Sequence, residues 1–170
     1  MPKGIKQTSS PIQISGFVVE SSVNNFNDTT IDLSLNALDN EVFVVTMVNL
    51  DVDEPDMDST TTEVTASLSA TKRSALLGIG GIDQSNIIAA AKRTIVSSSS
   101  KSVAFDREDP QFTALEADYL YIVATPDLHL NVQGGGNGNK KSARVRVYGY
   151  RAKADAAIYA ALVQSELLSE

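Results

Sequence analysis

The clearest pattern in the chain is an alternation of apolar and polar residues with a period of two. This period is typical of a β-strand with one buried and one wet face, because successive side chains of a strand point in opposite directions. Residues 31–35, 64–70, 128–132 and 143–147 follow it. Residues 41–50 and 119–124 are apolar at nearly every position, which favours strands in the centre of a sheet.

Shorter apolar stretches at 17–21 and 102–105 bring the number of predicted strands to about eight. The strands do not alternate regularly with helices, which argues against a doubly wound α/β sheet. We therefore predict an all-β fold, a β-sandwich or single jelly roll of antiparallel strands.

Two stretches have a helical period and predict short helices at 83–95 and 154–168. The first starts at a capping candidate, Asp83, and places Ile87, Ile88, Ala91 and Ile95 on one face. The second follows a possible cap at Asp155 and carries an apolar stripe.

The chain length of 170 residues fits one domain. We expect an N-terminal arm at 1–15, a jelly-roll sandwich at 16–152, and a helix at 153–170 that packs on the sandwich or on a neighbouring subunit. The first residues contain no apolar run, and no stretch approaches the ~18 apolar residues of a transmembrane helix. We therefore expect neither a secretory signal nor a membrane span.

Acidic and basic residues are separated along the chain, whose formal net charge is −7. Residues 39–58 hold seven acids and no base, whereas residues 140–153 hold six bases and no acid. Two segments of opposite charge can attract copies of the chain to each other. We expect such a contact between subunits to involve Asp53, Asp56, Lys140, Arg144, Arg146 and Arg151.

The same bases have two other interpretations. Arg144 and Arg146 share a strand face with Tyr148 and Tyr150, and bases beside aromatic rings are typical of surfaces that bind single-stranded nucleic acid. The overall acidity opposes this contact, so any binding of nucleic acid would be weak. A basic face can also be simply solvated.

Residues 134–142, "GGGNGNKKS", resemble a phosphate-binding loop. The motif G-x-x-x-x-G-K-[ST] requires Gly where this chain has Asn139, and it must lead into a helix whose N-terminus binds the phosphate. Here the alternation at 143–147 predicts a strand after the loop. We interpret the loop as a β-hairpin turn, with Gly and Asn at positions of positive φ.

The chain offers little for catalysis. It has no cysteine, so thiol chemistry is excluded, and its one histidine, His129, falls on the wet face of a predicted strand. The alternate acids Asp51, Asp53, Asp56 and Asp58 resemble the oxygen spacing of a calcium loop, but the turn glycine and the bidentate Glu are missing. We expect no enzymatic activity, no cofactor, and at most a cation shared between subunits.

Residues 76–83, "LLGIGGID", combine leucine, isoleucine and glycine without either period. This composition is typical of an apolar loop that becomes ordered against a partner. Together with the C-terminal helix, it is our candidate for the apolar burial that supplies most of the affinity between subunits.

The layout resembles that of a single jelly-roll viral capsid protein. The resemblance lies in "NNFNDTTIDLSL", "EVFVVTMVNLDVDEP" and "ADYLYIVATPDLHLNVQGGGNGNKKSARVRVYGYRAK". In the last of these, a long strand, a Gly/Asn turn, a returning strand and an exit helix are similar to the closing strands of small capsid subunits. One departure is that "MPKGIK" lacks the long basic arm of capsid proteins that package naked genomes.

The resemblance implies a structural protein of the virion, made in the host cytoplasm, that assembles with copies of itself and with other capsid proteins into a shell. The alternative is a β-sandwich module that binds a ligand or glycan on a surface or virion. Such modules usually expose aromatic side chains on one face, whereas this chain has no tryptophan and only five Phe and five Tyr.

Overall fold

A computed structural model describes residues 3–98, 101–108 and 118–168. Within these ranges the chain forms ten strands and one α-helix. They are β1 (Ile5–Gln7), β2 (Ile12–Val19), β3 (Asn27–Asp32), β4 (Glu41–Val52), β5 (Thr62–Ser69), β6 (Ile87–Ser98), β7 (Lys101–Glu108), β8 (Tyr121–Val123), β9 (Asp127–Gly135), β10 (Ser142–Ala154) and α1 (Ala156–Leu168). A short 3-10 helix, Ala37–Asp39, precedes β4.

The strands form two antiparallel sheets of five. In the first sheet β10 pairs with β4, which pairs with β8, and the other side of β10 is shared by β2 and β1. The second sheet has the order β3-β9-β5-β6-β7. Part of the expected N-terminal arm lies within the first sheet, because β1 and the beginning of β2 fall in residues 1–15.

The strand pairings are nested along the chain, and this order defines the fold. β2 pairs with β10, β3 with β9, β4 with β8, and β5 with β6. Two packed sheets filled in this nested order are a jelly roll. The all-β prediction is confirmed, and β1 and β7 are additions to the eight-strand framework.

The main core lies between the two sheets. Its inward side chains alternate along the strands, as on β5, where Val64, Ala66 and Leu68 are all fully buried. Burial of each large apolar side chain contributes roughly 1.5–3 kcal/mol of transfer free energy. The alternation in the sequence thus identified the inward faces of β5 and β10 correctly.

The position of β4 between two apolar clusters explains why its sequence is apolar on both faces. Phe43 and Val45 point into the main core, whereas Val42 and Val44 point outward into a second apolar cluster beneath α1. The register against β10 shifts around Thr46, which has no partner in the ladder. Such a bulge changes which residues of the strand point inward.

The helix predicted at 154–168 is present as α1. Ile158, Leu162 and Val163 pack against the outer face of the first sheet over the second apolar cluster. The backbone N–H of Asp155 donates to Gly4 O (2.9 Å), and its carbonyl accepts from Tyr159 N (2.9 Å), so the helix start is tied to the chain beside β1. No helix in the described ranges is long and apolar enough to cross a membrane.

The helix predicted at 83–95 is wrong, because most of this stretch forms β6. Ile87, Ala89 and Ala91 are buried with a period of two and point into the core. Alanine favours a helix in isolation. In the fold, β6 pairs with β5 on one side and β7 on the other, so its backbone hydrogen bonds are made in two ladders.

The connection between β5 and β6, residues 70–86, folds back over the outer face of the second sheet. Ser67 of β5 donates from Oγ to Ile79 O (2.6 Å), and Ile79 is buried. Asn86 donates from Nδ2 to Thr71 Oγ1 (2.8 Å) where the connection starts and ends. The central strands of the second sheet are therefore covered on both faces.

Candidate functional site

The glycine-rich loop is not the turn of a hairpin, so that prediction is wrong. β9 and β10 belong to different sheets, and Gly134 and Gly135 are the last residues of β9. Residues 136–141, the clasp loop, carry the chain from the second sheet to the first. Gly136 adopts a φ of 70°, and a Cβ there would lie 2.5 Å from Thr61 O. The alternation indicated that a strand follows the loop, but it could not indicate to which sheet that strand belongs.

The amide groups of the clasp loop bind a carboxylate of the chain itself. Asp56 Oδ2 accepts from Gly138 N (3.0 Å), Asn139 N (2.9 Å) and Asn139 Nδ2 (3.1 Å). Its other oxygen accepts from Lys141 Nζ (2.6 Å). These are the kinds of donors that a phosphate loop offers to a phosphate. The position that a phosphate would take is therefore filled by Asp56.

This environment stabilises the ionised form of Asp56. The hydrogen bond from the Lys141 side chain, with those from Asn139, lowers the pKa of Asp56 from 3.8 to about 2. The loop thus acts as a clasp between the segment that follows β4 and the segment that precedes β10.

A buried glutamate completes the clasp from the other side. Glu20 is 1% exposed, and its carboxylate accepts from Gly134 N (2.6 Å), Lys141 N (2.9 Å) and Asn24 N (3.2 Å). Asn24 also exchanges hydrogen bonds with the backbone of Asn137 (2.8 and 2.9 Å). Sequence reasoning missed Glu20 and Asn137. The available signal was a charged residue directly after the apolar run at 17–19.

The acidic and basic segments lie side by side in one molecule, because β4 and β10 are antiparallel neighbours. Arg144 Nη1 is 3.2 Å from Asp53 Oδ1, Arg151 Nη1 is 3.5 Å from Glu41 Oε2, and Lys153 Nζ is 3.8 Å from Asp39 Oδ1. Partial burial raises the pKa of Asp53, but hydrogen bonds from Ser142 and Arg144 outweigh it and leave that pKa lowered. Of the charges expected to pair between subunits, all but Arg146 thus have partners within the described part of the chain.

The basic residues do not form one surface. Arg151 donates from Nη2 to Leu33 O (2.8 Å) and from Nη1 to Ser34 O (3.0 Å), and Lys140 Nζ donates to Ser21 O. Arg144 and Arg146 are exposed on the outer face of the first sheet, and Arg144 lies over the Phe17 ring at 5.3 Å.

Arg146 differs from the other predicted contact residues. In the described part of the chain its side chain makes neither an ion pair nor a hydrogen bond. It borders an open groove of about 690 Å³ whose lining includes Ser15, Phe17, Asn49 and Arg144. A contact of this face with another subunit stays a prediction.

The four calcium candidates do not converge on one point. Asp53 and Asp56 bind the donors described above, Asp51 is 3.9 Å from Arg93 Nη2, and Asp58 accepts from its neighbour Ser59. Across residues 3–98, 101–108 and 118–168, no group of three or more acidic or histidine side chains is arranged to hold a metal ion.

His129 is not on a wet face, so its predicted exposure is wrong. The residue is 8% exposed, and Nδ1 is 3.1 Å from Asp28 Oδ2 on the neighbouring strand β3. The connection at 70–86 covers the outer side of the second sheet, which the sequence pattern did not reveal. Ser69 Oγ contacts the carbonyl oxygen of His129 (3.4 Å) rather than its ring, so these three residues do not form a catalytic triad.

A second buried glutamate holds α1 to β8. Glu166 is 3% exposed and accepts from Ala124 N (3.1 Å) and Thr125 N (2.9 Å). Burial raises the pKa of Glu166, although these backbone donors oppose the shift. Burial, with the nearby Glu166, also raises the pKa of Tyr121 to about 12. The helical period did not predict that Glu166 is buried, because in the sequence it is simply one polar residue of the C-terminal helix.

Comparisons with known proteins give fold likenesses at low sequence identity. No protein family model matches the chain, and no curated protein matches it. A structure of Desmodium yellow mottle tymovirus is 10% identical over 92% of this chain and 96% of that chain, with a TM-score of 0.35. The cyanophage Pam1 capsid asymmetric unit is 16% identical over 88% of each chain, with a TM-score of 0.40.

The nested strand order decides the architecture. The chain has a jelly-roll fold. Relative to the eight-strand framework, this jelly roll carries three additions besides β1: the connection at 70–86, the strand β7, and α1. Because jelly rolls also occur in lectins and cupins, the framework alone does not specify a function.

Proposed function

We propose that the chain is the structural subunit of a viral capsid that assembles with copies of itself into a closed shell. The observation that supports this function is the placement of large exposed apolar side chains on two of the additions to the jelly roll. Leu76 is 99% exposed and Leu77 53% on the connection at 70–86, and Val103 (52%) and Phe105 (58%) are exposed on β7. Exposed apolar surface of this kind marks sites of protein association.

The polar clusters support a structural role in place of an enzymatic one. Asp56 fills the position where a nucleotide phosphate would bind, and His129 is paired with Asp28 inside a covered sheet. Glu20 is occupied by three backbone donors. These contacts hold segments of the chain together. We therefore assign the three residues a role in stability and no role in catalysis.

We further propose that the protein resides in the virion after synthesis in the host cytoplasm. Its main partners are other copies, with other capsid proteins as further partners. Among the predicted contact residues, Arg146 is the strongest candidate for a subunit contact. Asp53, Asp56, Lys140, Arg144 and Arg151 would first have to exchange the partners that they have within the chain.

The test of the capsid function is direct observation of assembly by the purified chain. Sedimentation velocity over rising protein concentration, followed by negative-stain electron microscopy, should reveal closed particles of uniform diameter. A protein that remains monomeric up to millimolar concentration, alone and with a cell extract containing its virus's other structural proteins, would contradict the proposal.

The groove beside Arg146 favours a second candidate, a module that binds a ligand or glycan. Phe17 is 51% exposed there, and polar groups of Ser15 and Asn49 line the same groove. A glycan array screened with the wild-type chain and with Phe17→Ala tests this candidate. Specific binding that is lost in the variant would support a binding function, and an array on which the wild type binds no glycan would contradict it.

A further inference from the structure

The tip of the connection at 70–86 is a rigidly held apolar feature, named here the apolar loop (residues 74–83). Arg73 is 4% exposed, and its guanidinium donates to Gly78 O (2.8 Å) and Leu77 O (3.0 Å). Gly78 and Gly80 have positive φ values of 65° and 75°, and a Cβ on Gly80 would lie 2.9 Å from Arg73 Cζ. A buried cation thus shapes this loop from beneath.

The side chains at the tip of the loop point into solvent although its base is fixed. Leu76 is 99% exposed, Ile82 57% and Leu77 53%, whereas Ile79 between them is 7% exposed and anchored on Ser67. Keeping three large apolar side chains in water is unfavourable, and burial of each would contribute favourably to association. A loop already ordered in its bound shape also loses less conformational freedom on binding.

An apolar groove of about 450 Å³ lies elsewhere on the same chain. Its apolar side chains are Pro55 and Met57 after β4, Ile95 of β6, and Ala104 of β7, which is the partner of Ile95 across the two strands. Met57 is 84% exposed. The groove therefore offers apolar surface of the kind that leucine side chains bind.

The loop and the groove lie on opposite faces of the second sheet. The loop contacts Ser67, which is on the outer face of β5. The groove lies on the inner side, where β6 meets the end of β4: Arg93, which also lines it, donates to Val52 O of the first sheet. Because the sheet separates them, a chain cannot place its own loop in its own groove. A second copy can.

The charges beside the two features are complementary. Lys72 is exposed next to the loop, and Glu54 is exposed on the rim of the groove. Such rim charges affect orientation and association rate more than affinity. They favour a docking in which the base beside the loop meets the acid beside the groove.

We propose that the apolar loop of one subunit inserts Leu76 and Leu77 into the groove formed by Pro55, Met57 and Ile95 of the next subunit. This contact rests on the proposed assembly of the chain and specifies how it occurs. The two surfaces are different, so the contact is heterologous and repeats head to tail until a ring or shell closes. The clasp between Asp56 and Lys141 holds the segment that carries Met57 in place for it.

The test uses one variant for each half of the contact. Leu76→Asp disables the loop and keeps the groove, whereas Met57→Asp, at a side chain that is 84% exposed in the free chain, disables the groove and keeps the loop. Each variant alone should lose the particle peak in sedimentation velocity while its circular dichroism stays that of the wild type. Mixed together, they retain one productive contact per pair, so the mixture should form dimers and stop there.

Matched controls separate this contact from a general effect of surface charge. Leu38 is 96% exposed and lies outside both the loop and the groove. Leu38→Asp should therefore assemble like the wild type. Because the chain has no cysteine, Leu76→Cys and Met57→Cys can also be mixed under oxidation. They should give a covalent heterodimer, which a mixture of Leu38→Cys and Met57→Cys should not.

The outcomes distinguish this contact from the capsid function. Particles formed by Leu76→Asp at wild-type yield would overturn the loop-in-groove contact and leave the shell intact. Wild-type chains that associate head to tail and never close, together with cysteine variants that cross-link as described, would uphold the contact and overturn the shell. Loss of assembly in Leu76→Asp but not in Met57→Asp would mean that loops contact loops, and the contact proposed here would be wrong.

Discussion

At the scale of single residues, the chain uses its few buried charges to join segments that are distant in sequence. Glu20 joins the end of β2 to the end of β9 and the start of β10, and Asp56 joins the segment after β4 to the clasp loop. Backbone amide donors around a carboxylate are stabilising because the bonds are charge-assisted. The clasp is therefore a stability element, and its loss should be measurable without any assembly assay.

The variant Asp56→Asn should change the acid stability of the fold. The folded-state pKa of Asp56 is lowered from 3.8 to about 2, so its contribution is fully present above pH 3.8 and is lost as the pH falls towards 2. Wild type should be more stable than the variant at pH 7, and the difference should shrink between pH 4 and pH 2. Thermal melts across this range measure it. Asp58→Asn is the control, and an equal effect there would contradict the assignment.

The variant Glu20→Ala should be strongly destabilising. It leaves three backbone amides without their acceptor, and each buried unsatisfied donor costs about 1–3 kcal/mol. We expect the free energy of unfolding to fall by roughly 3 kcal/mol or more, as measured by urea denaturation. Glu20→Gln keeps one acceptor oxygen and should lose less. Equal losses in the two variants would show that the hydrogen bonds are not the cause.

At the scale of elements, α1 depends on one buried acid as well as on its apolar stripe. Ile158, Leu162 and Val163 supply the packing, and Glu166 fixes the last turn to the backbone at Ala124 and Thr125. A carboxylate in this place carries a desolvation penalty that its neutral form avoids. The docking of α1 should therefore depend on pH.

The variant Glu166→Gln should reduce this pH dependence. The pKa of Glu166 is raised above 4.5 in the folded state, so the folded chain binds the proton more tightly than the unfolded chain. Wild-type stability should therefore fall as the pH rises from 4.5 through that raised value. The melting temperature of the variant should stay flatter between pH 4.5 and pH 8. If the stability of the wild type relative to the variant rose with pH over this interval, the upward shift of the Glu166 pKa would be wrong.

At the scale of the whole molecule, most of the segregated charge is neutralised inside one subunit. Arg144, Arg151 and Lys153 face Asp53, Glu41 and Asp39 across two adjacent strands. Exposed pairs of this kind contribute about 0–1 kcal/mol each. The proposed assembly would therefore rely mainly on the apolar additions, and charge would guide the orientation of the subunits.

Two charge reversals separate the internal role of these bases from a role in assembly. Arg144→Glu breaks the pair with Asp53, so it should lower the melting temperature slightly, consistent with about 0–1 kcal/mol. Arg146→Glu breaks no ion pair within the described residues, so it should leave the melting temperature unchanged while weakening assembly. Sedimentation of both variants at low and high salt checks this. Normal assembly by Arg146→Glu would show that the outer face of the first sheet is not a contact between subunits.

The sequence by itself determined the fold class and the inward faces of several strands. Alternation along 64–70 and 143–147 specified which side chains are buried, because a one-residue slip would move the whole apolar set to solvent. The C-terminal helical stripe likewise predicted α1. These features are local, and a single chain segment contains the information for each of them.

The tertiary structure alone decided how these segments pair. β6 is a strand because β5 and β7 flank it, although its alanines favour a helix. His129 is buried beside Asp28 of the neighbouring strand, although alternation marks its face as wet. The clasp loop connects the two sheets because the strands on either side of it pair in different sheets. The charged segments became internal neighbours for the same reason. Each outcome depends on contacts between residues that are far apart in the chain. The hydrophobic period of a single segment contains no information about such contacts.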